Sequence, residues 1–288
     1  MVQGQLRPYP GTDIISQKIF MQVQFYSPRN NLLKEYMEGY YFITKKKIGN
    51  PVIYWTFPNN YCIAAVYQNT ELKLEENRIS VSASMHKNIA SSLVSRYVSP
   101  IEIVQNDVTD EITIYFKPLG INSFIDDVQK LFSRNIIEFD PFPDYREEMN
   151  RVFNIREREP QIDAFEDYWI KKIIRKNMYP IKDILSDVES DKKISEIAEK
   201  YNMSRQYLNK YFRNHLGKSP SEFRKIHRFR TSIAQKGKNR NLTELAYDSL
   251  FYDQSHFIKD FKQFTTLNPS RFFHDVDTGK ENVWLILD

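Results

Sequence analysis

Five side chains that can pair with the edges of nucleic-acid bases, Arg205, Gln206, Asn209, Lys210 and Arg213, are spaced so that one face of a helix carries them all. The amide of Asn or Gln can meet adenine at two atoms, and Lys or Arg can meet guanine at two acceptors. Each such pairing is worth about 1–3 kcal/mol of discrimination. A second set, Gln254, Ser255, Ile258, Lys259 and Lys262, occupies the matching places further along the chain. Because the two sets differ in residue type, they would read different bases, which implies an asymmetric target.

Positioning these residues falls to a repeat with a spacing of 48 to 49 residues. Ile194-Ser195-Glu196-Ile197-Ala198 matches Leu242-Thr243-Glu244-Leu245-Ala246, and Leu208, Phe212, Pro220 and Phe223 match Phe257, Phe261, Pro269 and Phe272. In the first copy Ile194, Ile197, Ala198 and Tyr201 define a short helix with one buried face, and Ser195 is available as its N-cap. Asn202 suits a left-handed turn, and Ser204 suits the cap of a second helix running to about His215. In the second copy Thr243 and Asp253 are the caps, and Phe257 and Phe261 anchor a helix reaching Phe264. The pattern is that of two helix-turn-helix units, at about 192–216 and 241–265. A helix from Pro220 to about Gln235 joins them, and some of its cations, Arg224, Lys225, Arg228 and Arg230, are expected on phosphate.

Charge distribution agrees with this reading. Between Arg205 and Arg240 stand eleven Lys or Arg and one acid, Glu222, so this stretch carries +10 of a net +4 and the remainder is acidic. Other chemistry has little to work with. His86 is the only histidine before residue 177, too few for a catalytic metal site. Cys62, the single cysteine, lies in an apolar run that favours an inert thiol. The eight glycines are scattered, so there is no phosphate-cradling loop. No enzyme activity, metal or cofactor is expected. The start of the chain lacks an apolar signal core, and no apolar run is long enough for a membrane span. The expected location is cytoplasmic, nucleoid-associated when bound to DNA.

The 288 residues suggest two domains, with a boundary near Asn177. Residues 1–176 read as a β-rich part with a helical linker region, and 177–288 as all-helical. Strands are expected at Val52 to Phe57, Cys62 to Tyr67, Arg78 to Ser84, Ile101 to Val104 and Glu111 to Phe116. The last alternates as a half-buried strand would, Ile112, Ile114 and Phe116 on one side and Thr113 and Tyr115 on the other. Two amphipathic helices are expected to follow, one striped by Phe124, Val128, Leu131 and Phe132, the other by Phe165, Trp169, Ile170, Ile173 and Ile174. The second could pack internally or against another copy of the chain. Tyr54, Trp55, Phe57 and Tyr61 read as core in preference to pocket.

Phe251 to Lys262, with Asn268-Pro269-Ser270-Arg271-Phe272, resembles the signature segment of the AraC/XylS family of bacterial regulators, and the likeness extends over residues 181–275. Pro118 to Phe124 and Tyr40-Tyr41-Phe42 resemble, more loosely, a cupin-like N-terminal domain of some members. The resemblance implies an α+β chain: an antiparallel β barrel or sandwich with trailing helices for sensing or dimerisation, then an all-α domain whose two units enter adjacent major grooves. It places base reading on Gln206, Asn209 and Lys210, and on Gln254, Ser255, Ile258 and Lys259. It also implies double-stranded promoter or operator DNA as partner, RNA polymerase, a homodimer, and a small-molecule effector to which no residue is assigned. Leu250 and Thr266 depart from the family, which usually has glycine there. A side chain in left-handed geometry costs about 1–2 kcal/mol. The competing readings are a cupin-like binding protein or enzyme whose helical repeat contacts proteins, and an architectural protein binding any duplex.

Overall fold

The computed structural model describes residues 24–46, 50–236 and 254–275. Ten strands fill the first part: β1 (Phe25–Tyr26), β2 (Met37–Ile43), β3 (Val52–Thr56), β4 (Cys62–Gln68), β5 (Thr70–Glu75), β6 (Arg78–Ala83), β7 (Ile89–Val94), β8 (Ile101–Gln105), β9 (Asp110–Phe116) and β10 (Ile136–Glu138). They form two open sheets, ordered β1-β2-β9-β4-β7-β10 and β3-β8-β6-β5, so the barrel-or-sandwich expectation resolves to a sandwich. The six-stranded sheet is antiparallel throughout. The other departs from the antiparallel expectation at one ladder, where β6 and β8 run parallel from Arg78 opposite Glu102 to Val81 opposite Gln105.

A helical layer, α1 (Asn31–Tyr36), α2 (Tyr145–Phe153) and α3 (Arg158–Lys171), covers the outer face of the larger sheet. It explains why β9 is not half-buried as its alternation suggests. Ile112, Ile114 and Phe116 join the core with Tyr145, Phe165 and Trp169, while Thr113 and Tyr115 are buried on the opposite face. Trp169 is wholly buried, its ring 5.3 Å from both Phe116 and Phe124. It packs internally and offers nothing to a second copy.

Two of the expected helices are shorter than their stripes. Asp127 adopts φ −103°, ψ 72°, outside helical space, and breaks the Phe124-to-Phe132 run: one 3₁₀ segment, Gly120–Ser123, ends before Phe124, and a second covers Val128–Ser133. Helix α3 stops at Lys171, so Ile173 and Ile174 lie beyond it, the backbone N–H of Ile174 donating to the Ser123 carbonyl at 2.6 Å.

The remainder is helical: α4 (Ile181–Glu189), α5 (Ile194–Lys200), α6 (Arg205–Leu216), α7 (Pro220–Lys236), α8 (Gln254–Thr265) and α9 (Pro269–Asp275). Residues 237–253, with the expected caps Thr243 and Asp253, the apolar Leu245 and Ala246 and the position of Leu250, lie outside the described residues. Among the described residues no helix is long and apolar enough to cross a membrane.

Thr266 ends α8 at φ 61°, its N–H donating to Lys262 at 2.8 Å. A β-branched residue in this region is strained, and glycine is not. Thr266→Gly is therefore expected to stabilise the chain by about 1 kcal/mol, read as a raised midpoint in thermal unfolding. A lowered midpoint would show that the threonine's own contacts outweigh the strain.

Candidate nucleic-acid interface

The first unit is built from α5, a tight turn and α6. Helix α5 begins two residues earlier than Ser195 would allow as a cap: Lys193 is the cap residue, and its N–H donates to Glu196 Oε2 at 3.0 Å. Ile194 starts the helix, so Ser195 lies within the first turn. The turn itself follows the expectation. Asn202 takes φ 52°, and the N–H of Met203 reaches back to the Ala198 carbonyl at 2.8 Å, satisfying the end of α5. Ser204 Oγ then accepts from the Tyr207 N–H at 3.1 Å and opens α6.

Ile197, Ala198, Leu208, Phe212 and Leu216 close the core of this unit together with Ile184 and Val188 of α4. Asp187 locks α4 to α5. Burial alone would push its carboxyl up, but hydrogen bonds from Lys192, from Lys200 at 2.6 Å and from Tyr201 at 2.9 Å outweigh that and bring it down to about 2. A carboxyl depressed in the folded state stabilises above its unfolded value of about 3.9, and the gain fades as pH falls toward about 2. Its cationic partners are half exposed, so we expect Asp187→Asn to cost about 1–2 kcal/mol at pH 7. The difference from wild type should vanish in urea unfolding below the folded value. An unchanged difference at low pH would mean that packing, not charge, is lost.

With Leu208 and Phe212 inside, α6 turns Arg205, Gln206, Lys210 and Arg213 outward; Asn209 is half-buried at the edge of this face. The Asn209 amide donates to the Arg205 carbonyl at 2.9 Å, and Arg213 lies 3.4 Å from Glu222, so both must exchange a partner to meet a base. Tyr207 went unnoticed in the sequence. It is 54% exposed and stacks on Tyr211 at 6.0 Å, a pair its i, i+4 spacing could have revealed.

On α8, Ser255, Lys259 and Lys262 are exposed, Ile258 is half-buried against the second unit's core, and the Gln254 side chain is outside the described residues. Phe257, Phe261 and Phe264 face inward, the Phe261 ring lying 5.1 Å from Phe229 and 5.0 Å from Phe272.

Three of the four α7 cations expected on phosphate have partners within the chain. Arg230 donates through Nε to the Pro58 carbonyl and through Nη2 to that of Phe57, both at 2.7 Å, and Arg224 Nε donates to Val188 at 2.8 Å. Lys225 pairs with Asp260 of α8 at 3.2 Å. Arg228 is half-buried. Arg224, Lys225 and Arg230 thus hold α7 to its neighbours.

The sheets also enclose a cavity of about 50 Å³, lined by Tyr41, Tyr54, Tyr67, Tyr97, Glu111 and Tyr115 among others. Burial raises the Glu111 carboxyl to about 7 despite hydrogen bonds from Thr113 at 2.6 Å and Tyr41 at 3.1 Å. Of the four aromatics expected in the core, Tyr54 lines this cavity, Tyr61 is half-buried, and Trp55 and Phe57 pack against the second unit. Burial pushes the Cys62 thiol up to about 11, as an inert cysteine requires.

Comparison with known proteins bears on the helical part. A family model described as a helix-turn-helix domain matches residues 197–275. An uncharacterized HTH-type transcriptional regulator of Haemophilus influenzae is 29% identical over 90 residues, 31% of this chain and 30% of that protein, so the chain matches under a third of that relative's length. Among solved structures, ToxT of Vibrio cholerae strain SCE256 with unsaturated fatty acid bound gives a TM-score of 0.45 at 15% identity, covering 81% of this chain and 92% of that one. A second ToxT crystal form gives 0.40 at 17% identity, covering 88% and 96%. In this chain two stacked sheets with trailing helices precede the stretch that matches as a helix-turn-helix domain.

Proposed function

We propose that the protein is a sequence-specific DNA-binding regulator of transcription, working in the cytoplasm and catalysing no reaction. Its partners in this reading are double-stranded promoter DNA and, by family resemblance, RNA polymerase. The observation that carries the reading is the exposed face of α6, where Arg205, Gln206, Asn209 and Lys210 surround the helix N-terminus while the other side of the same helix is fixed by Leu208 and Phe212. A helix so held presents amides and cations to a major groove. Arg213 completes the first set, and Gln254, Ser255, Ile258, Lys259 and Lys262 form the second. We divide the chain functionally at residue 177, the part before it acting as the regulatory half.

Substitution separates base reading from charge attraction. Asn209→Ala should relax preference at one position of the bound site by about 5- to 150-fold, equivalent to 1–3 kcal/mol, and leave the salt dependence of binding unchanged. Lys259→Ala should act on the other element. Equal weakening on every duplex by both variants would favour an architectural protein, and turnover of a small molecule with salt-independent behaviour would favour the cupin-like alternative.

A further inference from the structure

The two units do not sit on independent cores. Leu119, from the β-sandwich half, belongs to the first unit's core, and Trp55 and Phe57, at the end of β3, belong to the second's, where Phe57 meets Phe272 edge-on at 5.0 Å. Polar contacts run beside each. At the first unit, Arg96 Nε donates to the Gly217 carbonyl at 3.0 Å and Asn122 Nδ2 to that of His215 at 3.1 Å. Gly217, at φ 70°, lies so near Phe132 that an added Cβ would stand 2.6 Å from its ring. Asn60 Nδ2 also donates to the carbonyl of Phe223, a residue of the first unit's core, at 3.0 Å, and beside the second unit's cluster the guanidinium of Arg230 holds two successive carbonyls.

We infer that the β-sandwich acts as a jig: Trp55, Phe57 and Arg230 position the second reading helix relative to the first, and so set the spacing between the two DNA elements the protein accepts. The inference rests on the proposed function. Its physical basis is that a unit whose core is completed by another body cannot move against that body without exposing aromatic surface to water. One body gripping both units therefore fixes their offset, and α7 need not do so alone. Trp55 and Phe57 touch no DNA in this scheme. They are positioning residues.

The test is selection of duplexes from a random pool by the full chain, by Trp55→Ala/Phe57→Ala and by Arg230→Met, reading both element sequences and the gap between them. Wild type is expected to select one gap. The variants are expected to keep the first element within about twofold, because its core at Leu208 and Phe212 is untouched, while accepting gaps differing by several base pairs or losing the second element more than tenfold. Arg230→Met leaves the aromatic cluster in place and guards against simple unfolding of the double variant. One gap and both elements retained by both variants would overturn the inference, as would equal loss of both elements in both. Failure of wild type to select any two-element site would count instead against the proposed function.

Discussion

Phe261→Ala is expected to cost the second helix-turn-helix unit about 3–5 kcal/mol, the range for removing a large aromatic from a packed core. Phe261 is almost wholly buried and lies at the centre of the cluster, its ring within 5.4 Å of the centroids of Phe229, Phe257, Phe272 and Phe273. No polar group waits to occupy the space, and the surrounding rings are pinned from both sides, so the cavity cannot collapse cheaply. Urea unfolding followed by circular dichroism should show either an early transition for part of the helical signal or a lowered global midpoint. A loss under about 1 kcal/mol would mean that the cluster repacks and that the second unit is far more plastic than its contacts imply.

Lys218→Met should have the opposite sign. Lys218 follows the glycine that ends α6 and is 1% exposed, and burial pushes its ammonium down to about 8. A lysine whose folded value lies below its unfolded value of about 10.4 binds fewer protons when folded, so stability rises with pH between the two values and is lowest below the folded one. At pH 7 the protonated group costs up to about 3 kcal/mol, converting the shift at 1.36 kcal/mol per unit. Methionine fills similar space without a charge. The variant should therefore gain about 2–3 kcal/mol at pH 7 in urea unfolding, and its advantage should shrink toward pH 10. No gain at neutral pH would indicate that the ammonium is solvated within the interface.

The parts legible in the sequence were those governed by local spacing. The i, i+4 pair Leu208 and Phe212, the left-handed Asn202 and the cap Ser204 fixed the first unit, because each acts within one turn of helix. Five of the ten strands, β3, β4, β6, β8 and β9, were found, whereas β1, β2, β5, β7 and β10 were not; in β7 Ser91 and Ser92 interrupt the apolar pattern, and burial against neighbouring strands makes it a strand. The split of the Phe124-to-Phe132 run turned on one residue's dihedral angles, which a hydrophobic stripe does not report.

What escaped the sequence were contacts between distant segments. Arg230 counts as one more positive charge in a basic stretch, and nothing in its neighbours announces two carbonyls 172 and 173 positions away in the chain. Trp55 and Phe57 fit their strand equally well as sheet residues or as part of another unit's core. Composition gives a residue's chemistry, and only the fold assigns its partner.

Whether two reading helices face DNA is decided by selection of bound duplexes from a random pool by wild-type protein at low salt. An asymmetric motif with two elements about ten base pairs apart should be enriched, bound with an affinity that falls steeply as salt rises. Retention of DNA without enrichment of any sequence, or no retention at all, would contradict the two-helix reading.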